Sequence, residues 1–134
     1  MQLSLKSFLL ASILLFLFSS ALFARKPEKI IRRNYKIAYK SIKEWSYRKD
    51  PADKKIQKTE TSQQSRAFMK IAEALENEPD DKLEKTIEVA LLRWGWLEGD
   101  PILDNPHPVD YYMVWMELRQ KLPERFEPGK EYYQ

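Results

Sequence analysis

His107 is the single histidine of the chain, and Asp100, Asp104 and Asp110 lie close to it in sequence. Asp104, His107 and Asp110 stand at successive spacings of three, an arrangement that could converge on a metal ion or form an Asp and His proton-transfer pair. The neighbouring residues offer a plainer use for the same carboxylates. Asp104 and Asn105 precede Pro106, which is good turn chemistry, and Asp110 has the position of a carboxylate at a helix N-terminus. There is no nucleophile elbow, phosphate-binding glycine loop or paired-histidine zinc motif, and only three glycines occur in the whole chain. Absence of cysteine excludes disulfides, thiolate-ligated zinc, a thiol nucleophile and a lipid-modified N-terminal cysteine. The expectation is therefore a protein that is not an enzyme, with no catalytic residue, no metal and no cofactor.

Aromatic residues give a second kind of candidate. Trp94, Trp96, Tyr111, Tyr112 and Trp115 flank a proline-rich segment, GDPILDNPHP, and aromatic faces beside Asp and Asn can form a platform for a sugar or a peptide. Trp94 and Trp115 fall on apolar helical stripes and belong to a core. Trp96, Tyr112 and Tyr111 are left to reach a surface, and with His107 they make the candidate contact surface for a ligand or partner.

Charge is divided along the chain. Residues 25–70 hold 15 Lys or Arg against 5 Asp or Glu, whereas residues 71–134 hold 7 against 15, so a formal net charge of +3 conceals two opposed halves. Lys29, Arg33, Lys36, Lys40 and Lys43 recur at helical spacing and form a basic face. Such a stripe can lie on anionic lipid. It can equally face Glu73, Glu76, Asp80, Glu84 and Glu88 within the fold or across a dimer, or simply be solvated. A long-range reader of polyanions would carry a larger net charge, which argues against nucleic acid as a partner.

The elements that position these residues follow from periodicity. Ile31, Tyr35, Ala38, Ile42 and Trp45 predict one amphipathic helix with Pro27 in its first turn. Asp50, Pro51 and Asp53 restart the pattern, but KKIQKTETSQQ offers only Ile56 to bury, so residues 48–61 read as a solvated connector with a helical turn or two. Thr61 and Gln64 have capping-box spacing ahead of Ala67, Phe68, Ile71 and Leu75, which predicts a helix over about 62–77, ended by Pro79. Leu83–Leu97 is apolar over most of its circumference and is expected to be the central helix, with Asp80, Asp81 and Glu84 at its positive end and Gly95 or Gly99 closing it. Pro108 can start a last helix, whose stripe is Tyr111, Trp115, Leu118 and Leu122, and Pro123 ends it. The fold class is all-α: a small bundle or orthogonal array of about four helices forming a single domain over residues 25–122, with a polar C-terminal tail at 123–134.

Residues 1–24 have the layout of a secretory signal peptide, with an apolar run from Phe8 to Ala24; cleavage after Ala21 puts Ser19 and Ala21 at the small-residue positions, and cleavage after Ala24 leaves the bulkier Leu22 there. As a helix that run spans about 25 Å, short of the ~30 Å hydrocarbon core, which favours a cleaved signal over an uncleaved anchor. Arg25, Lys26, Lys29, Arg32 and Arg33 directly after it pull the other way, because basic residues stay on the cytoplasmic side of a retained segment. Together these features describe an exported, periplasmic or secreted helical protein, a non-catalytic binding or interaction module of the cell envelope whose partner is another protein or a second copy. The alternatives are a domain anchored through residues 8–24 that contacts a membrane surface through its basic first helix, and an aromatic platform for an envelope glycan.

Overall fold

The computed structural model describes residues 26–126, which form five helices and, within that span, no strand. They are α1 (Pro27–Asn34), α2 (Lys36–Lys49), α3 (Lys54–Asn77), α4 (Asp81–Arg93) and α5 (Tyr111–Lys121). The signal-like segment and the tail residues Tyr132 and Tyr133 lie outside the described residues. None of the described helices is long and apolar enough to cross a membrane.

The fifth helix arises because the first amphipathic stretch is bent. Tyr35 leaves helical geometry (φ −133°, ψ 66°), although its amide still donates to the Ile31 carbonyl at 2.6 Å and its own carbonyl accepts from Tyr39 at 2.9 Å. Tertiary contacts account for the bend. The Tyr35 ring packs edge-on against Phe68 at 5.2 Å, its hydroxyl donates to Glu76, and the amides of Ile37 and Ala38 at the start of α2 donate to the Asp104 carboxylate at 2.9 Å each. A straight helix would not present all three groups to these partners.

Helix α3 is the hub, with α1, α2 and α5 packed along it. It buries Ala67, Phe68, Ile71 and Ala72 together with the polar Thr61, Gln64 and Ser65. Small side chains at Ser65, Ala67 and Ala72 let neighbouring backbones approach from more than one side. This corrects the expectation that Leu83–Leu97 is central. Helix α4 packs chiefly on α5, burying Leu83, Ile87, Ala90 and Leu91, while Val89, Leu92 and Leu97 remain about half exposed. An apolar circumference exceeded what one neighbouring helix could cover.

Residues 48–61 also differ from the connector reading. They comprise the end of α2, a turn at 50–53 and the first two turns of α3, whose cap is Asp53 rather than Asp50. The Asp53 carboxylate accepts from the amides of Lys55 and Ile56 at 2.9 and 3.1 Å. Thr61 and Gln64 therefore sit inside α3 and do not cap it. Thr61 donates back to the Gln57 carbonyl at 2.8 Å.

Helix α4 closes at Gly95, where φ is +119° and the Trp96 amide reaches back to the Leu91 carbonyl at 2.9 Å, the Schellman pattern. A Cβ on Gly95 would lie 2.8 Å from the Pro108 carbonyl oxygen, so glycine is required twice over. Helix α5 starts at Tyr111, three residues later than Pro108, capped by the Asp110 carboxylate on the Met113 amide at 3.2 Å. Past α5, Phe126 folds back into the core, and Arg125 bonds the Asp80 carboxylate at 2.7 Å and the Glu78 carbonyl.

Candidate ligand groove

The loop between α4 and α5 does not assemble the site that its residue types suggested. Asp104 holds the positive φ of 56° that lets its carboxylate reach the first amides of α2, and Asp110 caps α5, so the two carboxylates serve different helix ends. His107 pairs with Asp100 instead, Nδ1 to Oδ2 at 2.6 Å, with the imidazole nearly half exposed. Among the described residues no three His, Cys, Asp or Glu side chains gather as a metal site.

The aromatic platform is dispersed as well. Trp96, expected to face outward, is buried and donates its indole N–H to the Pro101 carbonyl at 3.2 Å. Tyr111 is also buried, edge-on to Phe68 at 5.0 Å, and burial pushes its phenol far above the ordinary range. Both are off the surface because the Schellman turn swings Trp96 under the loop and α5 lies directly on α3. Tyr112, half-buried, tilts against Trp115 at 6.1 Å. His107 and Tyr112 thus keep partial access while Trp96 and Tyr111 do not.

The basic face is divided by the bend at Tyr35. Lys29 and Arg33 lie on α1, Lys36, Lys40 and Lys43 on α2, and all but Lys43 are well exposed. Two of the carboxylates expected opposite them are engaged elsewhere: Glu73 pairs with Lys70 at 3.5 Å, and Asp80 both caps α4 and pairs with Arg125. The Leu83 amide, assisted by Arg125, holds the Asp80 carboxyl below its ordinary value of 3.8.

What the fold does bring together is Lys43 with residues of the supposed connector. A groove of about 530 Å³ opens between α2 and the first turns of α3, lined by Glu28, Tyr39, Lys43, Tyr47, Lys54, Gln57, Lys58 and Thr61. Tyr39, Lys43 and Tyr47 follow one another at spacings of four, which places them along one face of α2, with the tyrosines about 12 Å apart along the axis. Lys43 sits between them, its ammonium 5.8 Å from one ring centroid and 5.7 Å from the other. That spacing is within cation–π range and holds the charge in the groove. Lys54 and Lys58 make the same i, i+4 step on the facing wall. Gln57 is fixed by donating its side-chain amide to the Asp50 carbonyl at 2.7 Å.

Three ammonium groups against one carboxylate make the lining cationic, and two phenol rings give it apolar walls. Tyr39, Tyr47, Lys54 and Lys58 escaped the sequence reading although the spacing of each pair was visible. Their convergence needed the antiparallel pairing of α2 and α3, which the short turn at 50–53 enforces.

Comparison with known proteins returns no matching family model, no matching curated sequence and no matching solved structure.

Proposed function

We propose that this protein is a non-catalytic binding module of the cell envelope that receives an anionic ligand in the groove between α2 and α3. The observation that carries the reading is the clustering of Lys43, Lys54 and Lys58 with Tyr39 and Tyr47 around one concavity. Its volume lies in the range of small-molecule and oligomer sites, and concavity with convergent polar groups separates a binding site from a merely solvated charged face. The signal-like layout of residues 1–24 supports the envelope as the place of action.

Two anionic probes test the proposal on the full chain: tripolyphosphate and a galacturonate trisaccharide, followed by calorimetry and by amide chemical shifts. At least one probe is expected to bind with shifts confined to α2 and the start of α3. The double variant Lys43→Glu/Lys58→Glu should bind that probe at least tenfold more weakly, since each reversal replaces an attraction by a repulsion of similar size. Absence of binding by both probes, or equal binding by the variant, would refute it.

A further inference from the structure

The composition of the groove narrows the chemistry of what it holds. Resting on the groove being the binding site, we infer that the ligand is a carboxylated glycan segment, a run of sugar units bearing uronic-acid groups.

A discrete phosphate is poorly served here. The lining itself contains no arginine, the side chain whose planar fork matches phosphate oxygens in pairs, and the Arg32 guanidinium beside it lies over the Tyr39 ring at 5.8 Å. The amides of Lys55 and Ile56 at the start of α3 do not serve an anion, because the Asp53 carboxylate already takes them. Glu28, on the α1 side of the groove, repels any anionic group beside it, and a polyphosphate chain has no neutral donor to place there, whereas a uronic-acid chain can turn a hydroxyl towards it.

A bilayer surface is served no better. A lipid-facing element presents protruding aliphatic side chains, whereas this surface is concave and no aliphatic residue lines it.

A uronic-acid glycan uses every part. Its carboxylates pair with the ammonium groups of Lys43, Lys54 and Lys58, whose flexible stems tolerate the variable spacing of charges along a sugar chain. Its C–H faces lie on the half-exposed Tyr47 ring, which offers flat apolar area at small entropic cost, while the Tyr39 ring is engaged by Arg32 and Lys43. Its hydroxyls donate to Glu28, to Gln57 Oε1 and to Thr61 Oγ1, whose own proton is given to the Gln57 carbonyl. The Tyr39 and Tyr47 positions lie about 12 Å apart along the α2 axis, so the groove is longer than one pyranose ring and suits an oligomer over a monosaccharide.

The two chemistries part at Tyr47, which a glycan stacks upon and a polyphosphate ignores. Calorimetry on the full chain compares the galacturonate trisaccharide, tripolyphosphate and phosphatidylglycerol vesicles against wild type, Tyr47→Ala, Tyr47→Phe and Lys58→Glu. Tyr47 is about half exposed, so its truncation leaves the core intact, and the phenylalanine variant keeps the ring should the alanine variant misfold. The expected result is trisaccharide binding that weakens about fivefold in Tyr47→Ala, stays within twofold of wild type in Tyr47→Phe and falls with Lys58→Glu, while any tripolyphosphate affinity is lower and insensitive to Tyr47. Equal response of both ligands to Tyr47→Ala, or tighter tripolyphosphate binding, overturns the glycan assignment, and dependence on Lys58 then keeps the anion groove standing. Lys58-dependent capture of vesicles without trisaccharide binding overturns it in favour of a lipid headgroup. Loss of all three overturns the groove itself.

Discussion

Gln64 offers the sharpest test of how the hub helix holds the rest of the fold. It is buried at 2 % exposure in the middle of α3, yet it carries four hydrogen-bonding sites. Its Oε1 accepts from the Tyr111 amide at 2.7 Å and from the Tyr112 amide at 3.3 Å, and its Nε2 donates to Asp110 Oδ1 at 2.8 Å. Asp110 is itself the cap of α5, so one side chain of α3 completes the N-terminus of α5 by serving both its amides and its capping carboxylate. Gln64→Met keeps the length and volume and removes both polar functions. It leaves the Tyr111 amide buried without a partner, weakens the environment of Tyr112, and strips a donor from Asp110. An orphaned buried group costs about 1–3 kcal/mol and the two weaker losses add a fraction each, so the expected destabilisation is about 3 kcal/mol. For a domain of roughly 100 residues that lowers Tm by about 15 °C. Chemical and thermal unfolding of the full chain, followed by circular dichroism and tryptophan fluorescence, measures it. A double-mutant cycle with Asp110→Ala should show the pair losing less than the sum of the singles by at least about 0.5 kcal/mol, because both act on one helix end. A single-variant loss below about 1 kcal/mol, or strict additivity, would refute the view of Gln64 as a cap supplied in trans.

Asp104→Ala removes the acceptor for the Ile37 and Ala38 amides and should cost about 1–2 kcal/mol in the same unfolding assay, while Asp104→Asn, which keeps an acceptor and tolerates positive φ, should recover most of it. Gly95→Ala forces a side chain into φ +119° and against the Pro108 carbonyl, so a loss of about 2 kcal/mol or more is expected, and a neutral result would mean the α4–α5 loop yields freely. Glu60 has its carboxyl raised above the ordinary 4.5 by burial first and then by Asp50, with Lys49 opposing. The folded state therefore binds more protons than the unfolded one between the ordinary and the raised value, and stability falls as pH rises through that window. Glu60→Gln should flatten this part of the urea midpoint against pH curve, and an unchanged slope would contradict the assignment.

Helix ends were legible wherever a backbone constraint was written into a residue type: Pro27 at a first turn, Pro79 ending α3 at Asn77, Asp80 ahead of α4 and Gly95 behind it. The first turns of α3 were not, because hydrophobic periodicity cannot see a helix start that is fastened by the polar side chains of Asp53, Gln57 and Thr61. The bend at Tyr35 was invisible for a related reason. It depends on Phe68, Glu76 and Asp104, partners between 33 and 69 residues away, and nothing local to Asn34 and Tyr35 demands it.

The candidate site was misread in one consistent direction. A carboxylate beside a proline-rich loop has the same sequence signature whether it will ligate a cation or satisfy a helix terminus, since both tasks need an oxygen acceptor at a turn. In this fold Asp53, Asp80, Asp104 and Asp110 all take backbone amides at the starts of helices, so the conspicuous acidic residues are consumed in building the scaffold. The lysines cannot be consumed that way: an ammonium group donates and never accepts, so it can do nothing for an orphan amide. Lys43, Lys54 and Lys58, which the fold gathers in a concavity with two tyrosine rings, cap no helix start, and the proposed anion site is built on them. Opposed charge along this sequence thus has a structural half, aspartates that fix helix starts, and the binding proposal tests whether the groove lysines are the functional half.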